Sequence, residues 1–195
     1  SVRSFDERVL KRVDASEKGG KRDVSIQVET GGSTTRKADE ISFKLLPMAN
    51  YATSISSVFS QGGFQIVDPA FAIGDKDFKS VNKDFSTGND ITPATMRSVA
   101  STLRKAHVPL FVFATLDVGA TSQDPATGMP RVAVMVTSRV LDLSNTLPRE
   151  VASVPAVQYF GTGPDNLSAR DKALKDASIA SAREVVSRLN AAGIQ

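Results

Sequence analysis

The side chains in this sequence that could do chemistry are few and scattered. Of 195 residues one is a histidine and none is a cysteine. A thiolate nucleophile, a disulfide framework and a Cys-ligated zinc are therefore excluded. His107 cannot build a histidine metal site alone, and it falls where a helix should end before a strand, so a structural role is expected. Asp117 and Asp142 are two carboxylates on neighbouring apolar stretches, and such a pair can do acid–base work. No nucleophile stands beside them, which favours capping or sheet-edge roles. Asp75, Asp77, Asp84 and Asp90 alternate with Lys76, Lys79 and Lys83. The glycine and terminal glutamate of a calcium loop are missing there, so residues 71–89 read as a mixed, solvated charged loop. No Gly-x-Ser-x-Gly elbow, Walker loop or dinucleotide glycine pattern occurs, and Gly161-Thr162-Gly163 reads as a turn. The absence of Trp and the presence of two Tyr argue against a stacking platform. The sequence thus calls for no catalytic residue, no cofactor and no metal.

The elements that carry these residues centre on residues 109–143. Two stretches rich in Val, Phe and Thr suit a pleated, half-buried surface. They flank a polar turn that opens on Asp124-Pro125 and contains Gly128. This predicts a long β-hairpin at the middle of a sheet.

The flanking chain reads in order as follows. Phe5, Val9 and Val13 at four-residue spacing predict a short helix over residues 1–17, in an arm of residues 1–22. Residues 23–195 form a single α/β domain. Val24, Ile26 and Val28 alternate as a strand over 23–29, and residues 31–36 have the composition of a flexible loop. Residues 41–45 fit either a strand or a capped helix. A helix over 47–61 stops at Gly62-Gly63, and a short strand over 64–68 halts at Pro69. Thr92 caps a helix with Pro93 in its first turn, and Met96, Val99, Ala100 and Leu103 form its buried stripe. A strand over 151–160 contains Pro155, which places it at an edge or a bulge. One long helix fills residues 165–192.

This order gives an α+β (α/β two-layer) domain: a mixed β-sheet with a central long hairpin and helices packed on it. Within the hairpin, Leu110, Val112, Ala114 and Leu116 face one way, and Phe111 and Phe113 the other. Val132, Val134, Val136 and Val140 likewise oppose Ala133, Met135 and Leu141. If all helices lie on one face, the arm covers the second face or a partner does. Substituting Phe113 by Asp separates these cases, since a core residue would unfold the chain and an open one would cost only association.

Charge adds little. The 24 basic and 21 acidic residues leave a net charge of +3, which allows nucleic-acid binding without signalling it. No apolar run is long enough to span a bilayer. Starting at Ser1 without a hydrophobic leader, the chain is read as an exported protein whose signal segment is absent.

Three phrases carry a resemblance. Gly62-Gly63-Phe64-Gln65-Ile66-Val67-Asp68 resembles the turn and strand after the first helix in the TolB amino-terminal-like group. That group includes CsgG, the FlgT middle domain and LpoB. The run from Ala106 to Asp117 is similar to the group's helix end and strand, with Ala114-Thr115 standing where the group has a glycine. Arg139-Val140-Leu141-Asp142-Leu143 is similar to the end of the next strand. The resemblance implies a non-enzymatic periplasmic or outer-membrane-associated accessory protein. It would act by contact with an envelope protein or by self-association, in envelope assembly or secretion. The candidate interaction surface is then Phe111, Phe113 and Met135 with the tip residues Asp124, Thr127 and Gly128. A nucleic-acid-binding α/β domain and an enzyme of unrecognised type are the alternatives.

Overall fold

The computed structural model describes residues 2–11, 40–46, 49–87 and 90–194. The strand expected over 23–29, the loop over 31–36 and the boundary between arm and domain lie outside them. The described residues form a mixed α+β fold. Five strands are ordered β2-β1-β3-β4-β5, with β1 Val2–Lys11, β2 Glu40–Leu46, β3 Leu110–Gln123, β4 Pro130–Asp142 and β5 Arg149–Thr162. β1 runs parallel to β3, and every other pairing is antiparallel. The helices are α1 Ala49–Gln61, α2 Pro69–Ala72, α3 Gly74–Thr87, α4 Pro93–Lys105 and α5 Asn166–Ala191.

The β3–β4 hairpin forms as its sequence dictates, paired from Leu110↔Asp142 to Gln123↔Pro130. Alternation along β4 settles which layer each residue meets. Val132, Val134, Val136 and Val140 are fully buried under α1 and α5, together with Leu174, Val185 and Leu189 of α5. Leu141 points the other way and packs with Val99, Ala100 and Leu103 of α4 and with Ile73. Helices therefore lie on both faces of the sheet, not on one.

The long C-terminal helix sits close because its inner stripe is small. Ala169, Ala173, Ala177 and Ser178 are buried there, and a Cβ on Gly161 of β5 would fall 2.8 Å from the Cα of Ala173. Gly161 is thus a contact point inside the strand and not the turn its Gly-Thr-Gly context suggests. β5 is an edge strand among the described residues, and its register shifts between Val136 and Ser138 of β4, where Pro155 lies. A missing N–H is tolerated in such a place.

Three expectations are corrected. Residues 2–11 form a strand, because pairing to β2 and β3 outweighs a weak helical stripe. Residues 64–68 belong to no strand. Phe64 closes the end of α1 with its N–H on the Phe59 carbonyl at 3.0 Å, and its ring meets Phe59 edge-on at 6.1 Å. The chain then turns into α2. The loop expected over 71–89 is not one over its described part, residues 71–87, for α3 occupies most of it and buries Asp77 and Phe85.

Candidate functional site

The sheet's second face is divided into a covered half and an open half. In the covered half, Phe111 and Phe113 are half-buried against the α4 cluster, their ring centroids 5.4 Å apart. Of the two cases left open for this face, cover or a partner, these two rings meet cover, from α4 and the segment around Ile73. Arg139, opposite Phe113 in the ladder, holds its guanidinium 5.4 Å from that ring. It also donates to Glu150 on β5 at 2.8 Å and to Asp90, ahead of α4, at 2.7 Å. This ties the start of α4 to the sheet. The hydrogen bond from Arg139 keeps Glu150 below the usual carboxylate range.

In the open half, Met135 of β4 and Phe160 of β5 are each 45% exposed. The ladder pairs Ala133 with Phe160 and Met135 with Gln158, so Met135 and Phe160 are diagonal neighbours on one face. The Arg131 guanidinium lies 3.8 Å over the Phe160 ring, a cation–π contact that fixes both side chains. Sequence reasoning found Met135 by alternation. It missed Phe160 and Arg131, because only the register of β5 on β4 brings them together.

Beside this patch the hairpin tip is rigidly built. Asp124 accepts from the amides of Ala126 and Thr127, at 3.2 and 3.0 Å, and from the Thr127 hydroxyl at 2.9 Å. The Thr127 hydrogen bonds hold the Asp124 carboxyl below its ordinary range. Gly128 takes φ 69°, where a side chain would be strained. Asp124, Thr127 and Gly128 share this one turn. The Asp124 carboxylate is spent on its own loop, however, and Met129, 39% exposed, is what the tip presents.

The remaining chemical candidates have structural employment. His107 takes φ 57° just past α4, and its N–H donates to the Arg104 carbonyl at 3.0 Å. This is a helix-ending position. Asp142 accepts the Ser144 amide at 2.8 Å, which lowers its pKa. Asp117 pairs across from Met135, whereas Asp142 pairs with Leu110, so the two carboxylates do not converge. Asp77 bridges α3 to α4, accepting from the Ser98 hydroxyl at 2.8 Å and the Thr102 hydroxyl at 3.0 Å.

A depression of about 500 Å³ lies between α1 and α5, lined by Tyr51, Ser54, Asp171, Lys172, Lys175 and Asp176. Burial, then the hydrogen bond to Asp171 at 3.0 Å, raises the Tyr51 phenol to about 12. It therefore stays protonated as a donor and cannot serve as a base near neutral pH. Lys172 is paired with Asp176 at 3.1 Å. Tyr51 with Asp171 and Lys172 with Asp176 thus pair within the depression.

No family model matches the chain, and no curated protein matches it. Among solved structures it is similar to the hypothetical protein CT253 from Chlamydia trachomatis. The two are 12% identical, the similarity covers 72% of this chain and 81% of that one, and the TM-score is 0.41.

Proposed function

We propose that this chain is a non-enzymatic interaction module that works through the open half of its second sheet face and the adjoining hairpin tip. The observation that carries this reading is the diagonal pair Met135 and Phe160, each 45% exposed, with Arg131 stacked on the phenyl ring. An apolar centre with an arginine and a rigid rim has the composition of a binding hot spot. The rigid tip supports it, since a loop already held in one shape loses little entropy on binding. The setting we propose is the bacterial envelope, in assembly or secretion, with the chain exported to the periplasm or the outer membrane. That setting rests on the resemblance of residues 106–117 and 139–143 to the TolB amino-terminal-like group; residues 64–68, which form no strand, do not add to it. Among the described residues no helix is long and apolar enough to cross a membrane.

The test is site-specific photo-crosslinking in cells, with the probe at position 135 or 160 and, as control, at exposed Lys79 on α3. Adducts from 135 and 160 to an envelope protein, lost on adding Arg131→Glu, are expected. Silence at 135 and 160 overturns the reading. Binding to nucleic acid that weakens steeply with salt would replace it with the nucleic-acid alternative.

A further inference from the structure

β5 closes one side of the sheet among the described residues. An edge strand presents unpaired amides and carbonyls to any similar strand, and natural edges are guarded by charges, prolines or bulges. The guards of β5 all lie in its first half: Arg149, Glu150 and Pro155 with its register shift. Residues 156–162 read Ala-Val-Gln-Tyr-Phe-Gly-Thr, without a charge or a proline. Their ladder to β4 runs unbroken from Val136↔Val157 to Arg131↔Thr162, so this half of the edge is regular. The opposite edge, β2, carries Glu40 and Lys44 within seven residues.

We propose that residues 156–162 of β5 pair antiparallel with the same residues of a second copy of this chain, about a two-fold axis. An antiparallel edge is self-complementary, so one stretch serves both partners and the contact closes on itself. Val, Tyr, Phe and Thr favour such a ladder. Gln158 and Phe160, both exposed on the second face, gain cross-strand neighbours in the copy, and two five-stranded sheets become one. Pro155 and its bulge stop the pairing from running further and fix its extent. Seven residues a side fall well below the roughly 20–30 of a standard interface, so the dimer is weak and depends on concentration. The inference uses the edge of β5 and not the face of the sheet. Its failure would leave the proposed function standing.

The absence of cysteine supplies the experiment. In this register position 158 lies opposite position 160 of the copy, so a mixture of Gln158→Cys and Phe160→Cys chains, oxidised mildly, should give a covalent heterodimer, and Lys79→Cys on α3 mixed with either should not. In sedimentation equilibrium the wild-type mass should rise toward twice that of the chain with concentration. Gln158→Lys, with an unchanged circular dichroism spectrum, should stay at the single-chain mass. A wild-type mass that never rises overturns the proposal. So does a dimer indifferent to Gln158→Lys, or equal crosslinking from position 79.

Discussion

Gly161 of β5 lies so close under Ala173 of α5 that a methyl group on the glycine would sit 2.8 Å from the Ala173 Cα. The same methyl would also meet the Ala169 carbonyl oxygen and the Ala173 amide nitrogen, all of them backbone. No rotamer change can relieve such a clash. Gly161→Ala should therefore lift α5 from the sheet and destabilise the fold by about 3 kcal/mol, the upper part of the range for overpacking. Urea unfolding would show this as a lower midpoint at similar slope. A midpoint equal to wild type would mean that the helix rests less tightly than these distances say.

The two halves of the second face make opposite predictions. Phe113→Asp places a charge among residues packed by α4, and should cost about 2–4 kcal/mol from lost packing and a desolvated carboxylate. Met135→Asp changes an exposed side chain and should move stability by less than about 0.5 kcal/mol. It should nonetheless abolish crosslinking at the neighbouring position 160. Thermal melts of the two variants check the first contrast. Equal losses of stability would show that Met135 is covered as Phe113 is.

How far the sequence carried this picture can be judged from particular residues. The hairpin was legible because Val132, Val134 and Val136 alternate with Ala133 and Met135, and period two is unambiguous over such a length. Thr92 and Pro93 announced α4, and the Thr95 amide does donate to the Thr92 hydroxyl. α3 was hidden because its inward stripe is Asp77, Val81 and Phe85, and a buried carboxylate breaks the apolar pattern. Its cause lies twenty-one residues away, at the Ser98 hydroxyl. The open patch was half legible for a similar reason. Met135 follows from alternation along one strand, whereas Phe160 and Arg131 meet only through the register between two.

Asp77 yields the next expectation. It is 7% exposed and accepts two hydroxyl hydrogen bonds from α4. Asp77→Ala removes both, but the Thr102 hydroxyl keeps the Ser98 carbonyl at 3.1 Å and Ser98 is exposed to water, so the cost should be about 1 kcal/mol. Asp77→Asn keeps one acceptor and should lose less. Hydrogen exchange would locate the damage: amides of α3 and α4 should lose protection before those of α5. Uniform loss across all helices would argue against a local clamp.

Acid should loosen the clamp around α4 before it reaches the core. The Glu150 carboxyl is held below its ordinary range, first by the Arg139 hydrogen bond. At Asp84 burial pushes upward, but hydrogen bonds from Thr95 and Thr92 outweigh it and the pKa is lowered. A carboxylate with a depressed folded pKa contributes stability that is fully present above its unfolded value. That contribution is lost as pH falls through the folded one. Stability should thus hold from pH 7 to roughly 4.5 and decline below it, through the ordinary carboxylate range. Arg139 and Glu150 are 42% and 39% exposed, so solvent screening limits their pair to at most about 1 kcal/mol. The double variant Glu150→Gln with Asp84→Asn should begin with a lower melting temperature at pH 7 and lose less of it on acidification. Melting curves of both proteins from pH 7 to 3 check this. Parallel curves would place the acid sensitivity in other carboxylates.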